Sequence, residues 1–302
     1  MKFIKICVLL AVVTFACVES TEQTILMDHA APIIDTAYHQ LVKEKLRGAP
    51  NGYVMVMAHR GDWKNHPENS LSGIERCIEM GVDFVEVDIK KTKDGHLVLM
   101  HDETLERTTN GRGKVTAFTL AELRALKLRK SNGALTDESI PTLTEAMQIA
   151  KDRIFVFIDK GYEHLNDVYT VLQQTGTLRQ SVVEGVASRS QFQAKYPEIW
   201  KELNFIPRIG TGQSAAYIDS HLVNSTNRIL FPSCNLALSK SQNFQNLVAT
   251  DRWLLFSPLS FTKCSEDFAN TWTWAIDIGM DIIVTDKPRE LLEYLRKENR
   301  HL

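Results

Sequence analysis

Glu86 and Asp88 stand two apart in the apolar run Phe84–Ile89, and residues two apart on a strand point to the same side. Two carboxylates on one buried face stay ionised together only beside a compensating cation, and hard oxygen donors of this kind suit Mg²⁺ or Ca²⁺. His59 and His101 each follow an apolar run, Tyr53–Ala58 and Leu97–Met100. Two imidazoles with a metal between them supply a base and an acid near neutral pH, as cleavage of a phosphodiester requires when an alkoxide must leave. Arg60 and Lys160 could then hold the non-bridging oxygens, the first through a bidentate fork and the second as a point charge. Each residue alone has a plainer reading: acids facing solvent beside Lys90 or Lys91, structural histidines, cations in salt bridges.

The elements that must bring these groups together are short apolar runs alternating with helical stretches, starting at Tyr53–Ala58 and then Glu68–Met80. Such alternation predicts a parallel sheet with helical crossovers. Further strand candidates are Leu97–Met100, Ile154–Ile158, Ser181–Val186, Phe205–Ile209, Arg228–Phe231, Trp253–Phe256 and Asp281–Val284. With Tyr53–Ala58 and Phe84–Ile89 there is one run more than a closed (β/α)8 barrel can place, so one is peripheral, expected between Gln180 and Ser260. In a barrel the strand C-termini share one rim, where residues far apart in sequence converge. Residues 102–141 break the alternation with Thr108-Thr109-Asn110-Gly111-Arg112-Gly113 and a polar Ser131–Ser139 segment. They predict a small insertion after the third strand, above the barrel mouth.

At 302 residues, 44% hydrophobic and 24% charged, with a formal net charge of −2, the chain can bury one barrel-sized core. It lacks the basic excess that would make nucleic acid a partner, and no segment signals a protein partner. Lys2 and Lys5 precede an apolar run from Ile6 to Ala16 that is too short to span a bilayer, so residues 1–20 read as an export signal. Cleavage near Ala16 and acylation of Cys17 are competing readings, placing the protein in the periplasm or outside the cell, in the second case anchored to a membrane. Residues 21–50 read as a spacer with a leading helix from Ile33 to Leu46, and residues 51–302 as the barrel domain. Outside the signal only Cys77, Cys234 and Cys264 remain. That is no disulfide framework, and buried thiols are favoured over a Cys234–Cys264 bridge.

The ordered set His59-Arg60-Gly61, Pro67-Glu68-Asn69-Ser70, Glu86-Val87-Asp88, Lys93-Asp94-Gly95, His101-Asp102, Leu105, Arg107-Thr108-Thr109 and Gly111 resembles the glycerophosphodiester phosphodiesterase family, of the phospholipase C-like phosphodiesterase superfamily. Ile140-Pro141-Thr142-Leu143, Gly279-Met280-Asp281 and Thr285-Asp286-Lys287-Pro288 are similar to later family features. The resemblance runs from about residue 54 to 297 and is weakest between 185 and 270. It implies a metal-dependent hydrolase of deacylated phospholipids that yields glycerol 3-phosphate and an alcohol. In that family His59 and His101 would be the acid/base pair, Glu86 and Asp88 metal ligands, Arg60 and Lys160 phosphate contacts, and Glu68 and Asn69 rim residues. At the third metal position the family usually has Glu, whereas this chain has Asp159, with Glu184 as the fallback ligand. An aspartate there would also suit the related sphingomyelinase D enzymes, so a lysophospholipase D or sphingomyelinase D-like activity is the alternative. A barrel that binds a phosphorylated headgroup without turnover is a second alternative. The leaving alcohol, and attack by water or by a substrate hydroxyl, are not legible in the residues.

Overall fold

A computed structural model of the chain describes residues 52–207, 229–231, 254–256, 269–277 and 279–302. The export signal, the leading helix, Cys17, Cys234 and Cys264 lie outside the described residues. Among the described residues, no helix is long and apolar enough to cross a membrane.

The strands are β1 (Met55–Ala58), β2 (Phe84–Lys91), β3 (Leu97–Leu99), β4 (Phe155–Asp159), β5 (Ser181–Gly185), β6 (Asn204–Pro207), β7 (Ile229–Phe231), β8 (Leu254–Phe256) and β9 (Ile282–Thr285). Eight are parallel neighbours in the order β6-β5-β4-β2-β1-β9-β8-β7, and β6 also approaches β7. That is the curled sheet of a (β/α)8 barrel, with helices such as Leu71–Met80 (α1) and Leu143–Ala150 (α2) in the crossovers and Pro288–Lys297 (α3) after the last strand.

The peripheral strand is β3, not one between Gln180 and Ser260. It runs antiparallel to β2 in the register Ile89↔Leu99 and Lys91↔Leu97. Only Thr92–His96 separates the two strands, which suffices for a hairpin and is far too short for a parallel crossover. Its neighbour in sequence, the insertion, packs a core of its own from Leu105, Val115, Leu123, Leu128 and Ile140, together with Val98 of β3.

Two apolar layers follow from the period-two alternation of the strands. Val54, Val56, Val85, Val87, Val156, Ile158 and Ile283 face outward onto the helices. Leu291, Leu292 and Leu295 of α3 are 0–1% exposed against them, each worth about 1.5–3 kcal/mol of burial. The other phase, Met55, Met57, Phe84, Phe155, Phe157, Val182, Ile282 and Val284, fills the barrel interior. Helix α1 starts where Ser70 Oγ accepts from Gly73 N at 3.0 Å and stops at Gly81, whose φ of 83° opens the turn into β2.

Candidate active site

Continuing the inward phase toward the C-terminal ends of the strands turns it polar. After Met55 and Met57 comes His59, after Phe84 come Glu86 and Asp88, after Phe155 and Phe157 comes Asp159, and after Ile282 and Val284 comes Asp286. The parallel register sets Asp88 of β2 beside Asp159 of β4. One oxygen from each of Glu86, Asp88 and Asp159 lies within 4.8 Å of the others. Glu86 and Asp88 are buried, at 6% and 1% exposure, so the solvent-facing reading of these acids is excluded. Glu184 is also buried, on β5, but is not one of that group of three.

Like charges about 4 Å apart repel by about 4 kcal/mol at the screening typical of a protein surface, more than the 1.36 kcal/mol that one pKa unit represents. Burial and the charges of Asp88 and Asp159 accordingly push the Glu86 carboxyl well above the usual carboxylate range. Burial acts on Asp88 in the same direction, but Lys160, the Asn69 hydrogen bond, His101 and Arg60 outweigh it and hold Asp88 low. Three hard oxygens this close, in excess over the cations that meet them, fit a divalent cation.

The cations and amides around the acids are held in unusual backbone. Arg60, Asn69 and Lys160 have φ of 56°, 54° and 61°, a region that costs a non-glycine residue about 1–3 kcal/mol. The Arg60 turn aims its backbone N–H at Glu86 Oε2 (2.8 Å), and its carbonyl accepts from Asn69 N (3.1 Å). Gly61 follows with φ 78°, and a Cβ there would stand 3.2 Å from the Gly73 backbone. Asn69 clasps Asp88 twice: its Nδ2 donates to Oδ2 and its Oδ1 accepts from the Asp88 N–H, both at 3.0 Å. Lys160 Nζ donates to Asp88 Oδ1 at 3.1 Å and to the His101 carbonyl at 2.7 Å. Arg60 Nε, buried and without a hydrogen bond, is 3.5 Å from Asp88 Oδ2.

Both candidate histidines are backed by carboxylates at Nδ1. His59 Nδ1 is 2.8 Å from Asp286 Oδ1, which also accepts from Trp63 Nε1 at 2.7 Å. Burial tends to raise the Asp286 carboxyl, but His59, Trp63 and Lys64 together pull it below the usual range. His101 Nδ1 is 2.7 Å from Asp102 Oδ1. An anionic partner at Nδ1 favours the tautomer with the proton there, leaving Nε2 for proton transfer. Glu68, at the rim, pairs with Arg107 and lies 3.5 Å from Arg60 Nη1.

The structure brings His59, Arg60, Glu68, Asn69, Glu86, Asp88, His101, Asp159 and Lys160 together at the C-terminal rim of the strands, while Glu184, the inward position after Val182 on β5, stands outside the group of three carboxylates. Asp286, Trp63 and Arg107 take a place in the site that the sequence alone does not assign them. Asp286 was in reach of the alternation Ile282, Val284, Asp286; Trp63 and Arg107 sit in irregular segments where no period applies.

Residues 59–203 match the model of the glycerophosphoryl diester phosphodiesterase family. A glycerophosphodiester phosphodiesterase of Caldanaerobacter subterraneus subsp. tengcongensis is 48% identical over 103 residues, 34% of this chain. That match spans 42% of the relative's own length. Among solved structures, a glycerophosphoryl diester phosphodiesterase from Parabacteroides distasonis aligns with a TM-score of 0.68 and 24% identity, covering 85% of this chain and 92% of its own. A phosphodiesterase from Oleispira antarctica, solved with its product sn-glycerol-3-phosphate, aligns with a TM-score of 0.61 and 22% identity, over 83% of this chain and 99% of its own. At these identities the two structures speak for the fold.

Proposed function

Since the chain belongs to the glycerophosphoryl diester phosphodiesterase family, we propose that it hydrolyses glycerophosphodiesters to glycerol 3-phosphate and an alcohol, with Mg²⁺ or Ca²⁺ at its acidic cluster. The observation that carries this reading is the group of buried Glu86 and Asp88 with half-buried Asp159, tied through Lys160 to the backbone of one carboxylate-backed histidine and through the backbone of Arg60 to the residue that follows the other. A cation bound to these three carboxylates would polarise the phosphoryl oxygens as a Lewis acid.

The remaining work falls to side chains. Arg60 brings a buried N–H with no hydrogen-bond partner, a donor that a non-bridging phosphate oxygen would satisfy. Lys160, already spanning Asp88 and the His101 carbonyl, adds a second positive charge beside the ester. One imidazole takes the proton of the attacking hydroxyl, which is either water or the substrate's own, the second giving a cyclic phosphate that water then opens to glycerol 3-phosphate. The bond from phosphorus to the alcohol oxygen then breaks, and the other imidazole protonates the departing alkoxide. Asp286 and Asp102 keep both rings oriented and stabilise whichever becomes imidazolium. The product sn-glycerol-3-phosphate in the Oleispira antarctica relative supports glycerol 3-phosphate as the retained half.

The test is a product assay on a panel of deacylated phospholipids, lysophospholipids and sphingomyelin, with and without chelator. Release of glycerol 3-phosphate and a free alcohol from the deacylated diesters, lost on chelation and restored by Mg²⁺ or Ca²⁺, is the expected result. Cleavage of lysophosphatidylcholine or sphingomyelin in preference, or full activity in excess chelator, would overturn it.

A further inference from the structure

Two side chains of the insertion, Asp102 and Arg107, reach the site. Arg107 donates from Nε to Asp102 Oδ2 at 2.6 Å and from Nη2 to Asp102 Oδ1 at 3.0 Å. The same guanidinium donates from Nη2 to Glu68 Oε1 at 2.8 Å and from Nη1 to the other Glu68 oxygen. The Asp102 oxygen that takes the longer of its two bonds is also the one beside His101 Nδ1. A chain of contacts thus runs from the buried Glu68 carboxylate, 8% exposed, through Arg107 and Asp102 to the imidazole.

Resting on the phosphodiesterase reading above, we propose that Arg107 is a positioning residue that fixes the ring of His101 through Asp102. His101 lies beyond the end of β3, outside any strand, and its side chain is 35% exposed. A carboxylate on such a segment can turn about its side-chain bonds and carry the ring with it. Exposed single ion pairs contribute only about 0–1 kcal/mol, the exceptions being bidentate arginine geometry and networks. Arg107 meets both conditions, since its rigid fork spans two carboxylates and occupies both oxygens of Asp102. Lys160 holds the backbone carbonyl of His101; the Glu68–Arg107–Asp102 chain holds its ring. The insertion therefore shapes the site by orienting the imidazole.

The experiment compares Arg107→Ala, Arg107→Lys, Asp102→Ala and the double variant Arg107→Ala/Asp102→Ala, with saturating divalent cation and a glycerophosphodiester that the parent cleaves. Thermal midpoints are recorded alongside, and the His101 tautomer is read from ring-nitrogen NMR shifts. Arg107→Ala should lower kcat by about 10- to 10²-fold, the scale of a catalytic group displaced by about 1 Å, with KM changed less than about two-fold. Arg107→Lys should not restore it, since an ammonium cannot fork. The double variant should be no slower than Asp102→Ala, and the Nδ1-protonated tautomer should dominate in the parent and lose that dominance in Arg107→Ala. Unchanged kcat in a folded Arg107→Ala protein, or losses that multiply in the double variant, would overturn the proposal. The NMR readout needs no turnover: an inactive parent would refute the phosphodiesterase reading alone, while a tautomer that Arg107→Ala leaves undisturbed would refute this one.

Discussion

Asp88 of β2 and Asp159 of β4 are register partners on neighbouring parallel strands, so the third acid joins the Glu86–Asp88 pair through the sheet itself. Asp159→Asn removes one charge from the group without changing its size. Outer partners of metal ligands are worth about 10- to 100-fold in metal affinity, so loss of a direct ligand should weaken Mg²⁺ or Ca²⁺ binding by at least about 10-fold. Titration calorimetry of the cation alone reads this. Equal affinity in parent and variant would remove Asp159 from the ligand set.

Asp286 backs His59 as Asp102 backs His101. Asp286→Asn keeps the shape and removes the charge that fixes the tautomer. It should lower kcat by about 10²-fold or more, up to the 10⁴-fold ceiling set by loss of the acid/base step itself. Trp63→Phe, which removes only the second donor to the same oxygen, should cost far less. Steady-state kinetics on both variants decides, and wild-type kcat in Asp286→Asn would refute the pairing.

Asn69 serves both backbone shape and hydrogen bonding. Asn69→Gly relieves the left-handed backbone at φ 54° but strips Asp88 of both its Asn69 partners, whereas Asn69→Ala keeps that strain and loses the same bonds. Leaving buried polar groups unpaired costs about 1–3 kcal/mol. Urea unfolding should therefore rank the proteins parent, Asn69→Gly, Asn69→Ala, in falling stability. An alanine variant as stable as the parent would show that the clasp contributes nothing.

Asp102 carries a pH signature. Hydrogen bonds from Arg107, then the one from His101, hold its carboxyl well below the usual range. A carboxyl with a depressed folded pKa adds stability that is present above its unfolded value, about 3.9, and lost as pH falls toward the folded one. The difference in Tm between parent and Asp102→Asn should thus be constant above about pH 5 and shrink below about pH 4. A gap unchanged down to about pH 3 would contradict the pairing.

The barrel was legible because its inner and outer phases are both apolar, so each strand reads as an unbroken run. The same property hid which run was peripheral. Leu97 and Leu99 of β3 pack against the main core while Val98 packs into the insertion's core, so β3 is buried on both sides like a barrel strand. The short Thr92–His96 connection with its Asp94-Gly95 turn was the available signal. Glu86, Asp88 and Asp159 were legible because two-residue spacing and strand ends fix where such side chains go. Arg107 was not, because its place depends on how the insertion folds back over Glu68, and no local period encodes that.

In the proposed reaction His59 and His101 transfer the protons. The most direct measurement is kcat for His59→Ala and His101→Ala on a glycerophosphodiester that the parent cleaves and on a nitrophenyl ester analogue, with divalent cation saturating. Each variant should lose about 10²- to 10⁴-fold on the natural diester with KM nearly unchanged. The nitrophenyl ester should partly rescue one of the two, the variant lacking the general acid, because that leaving group departs without a proton. Wild-type kcat in both variants on every diester would contradict the account.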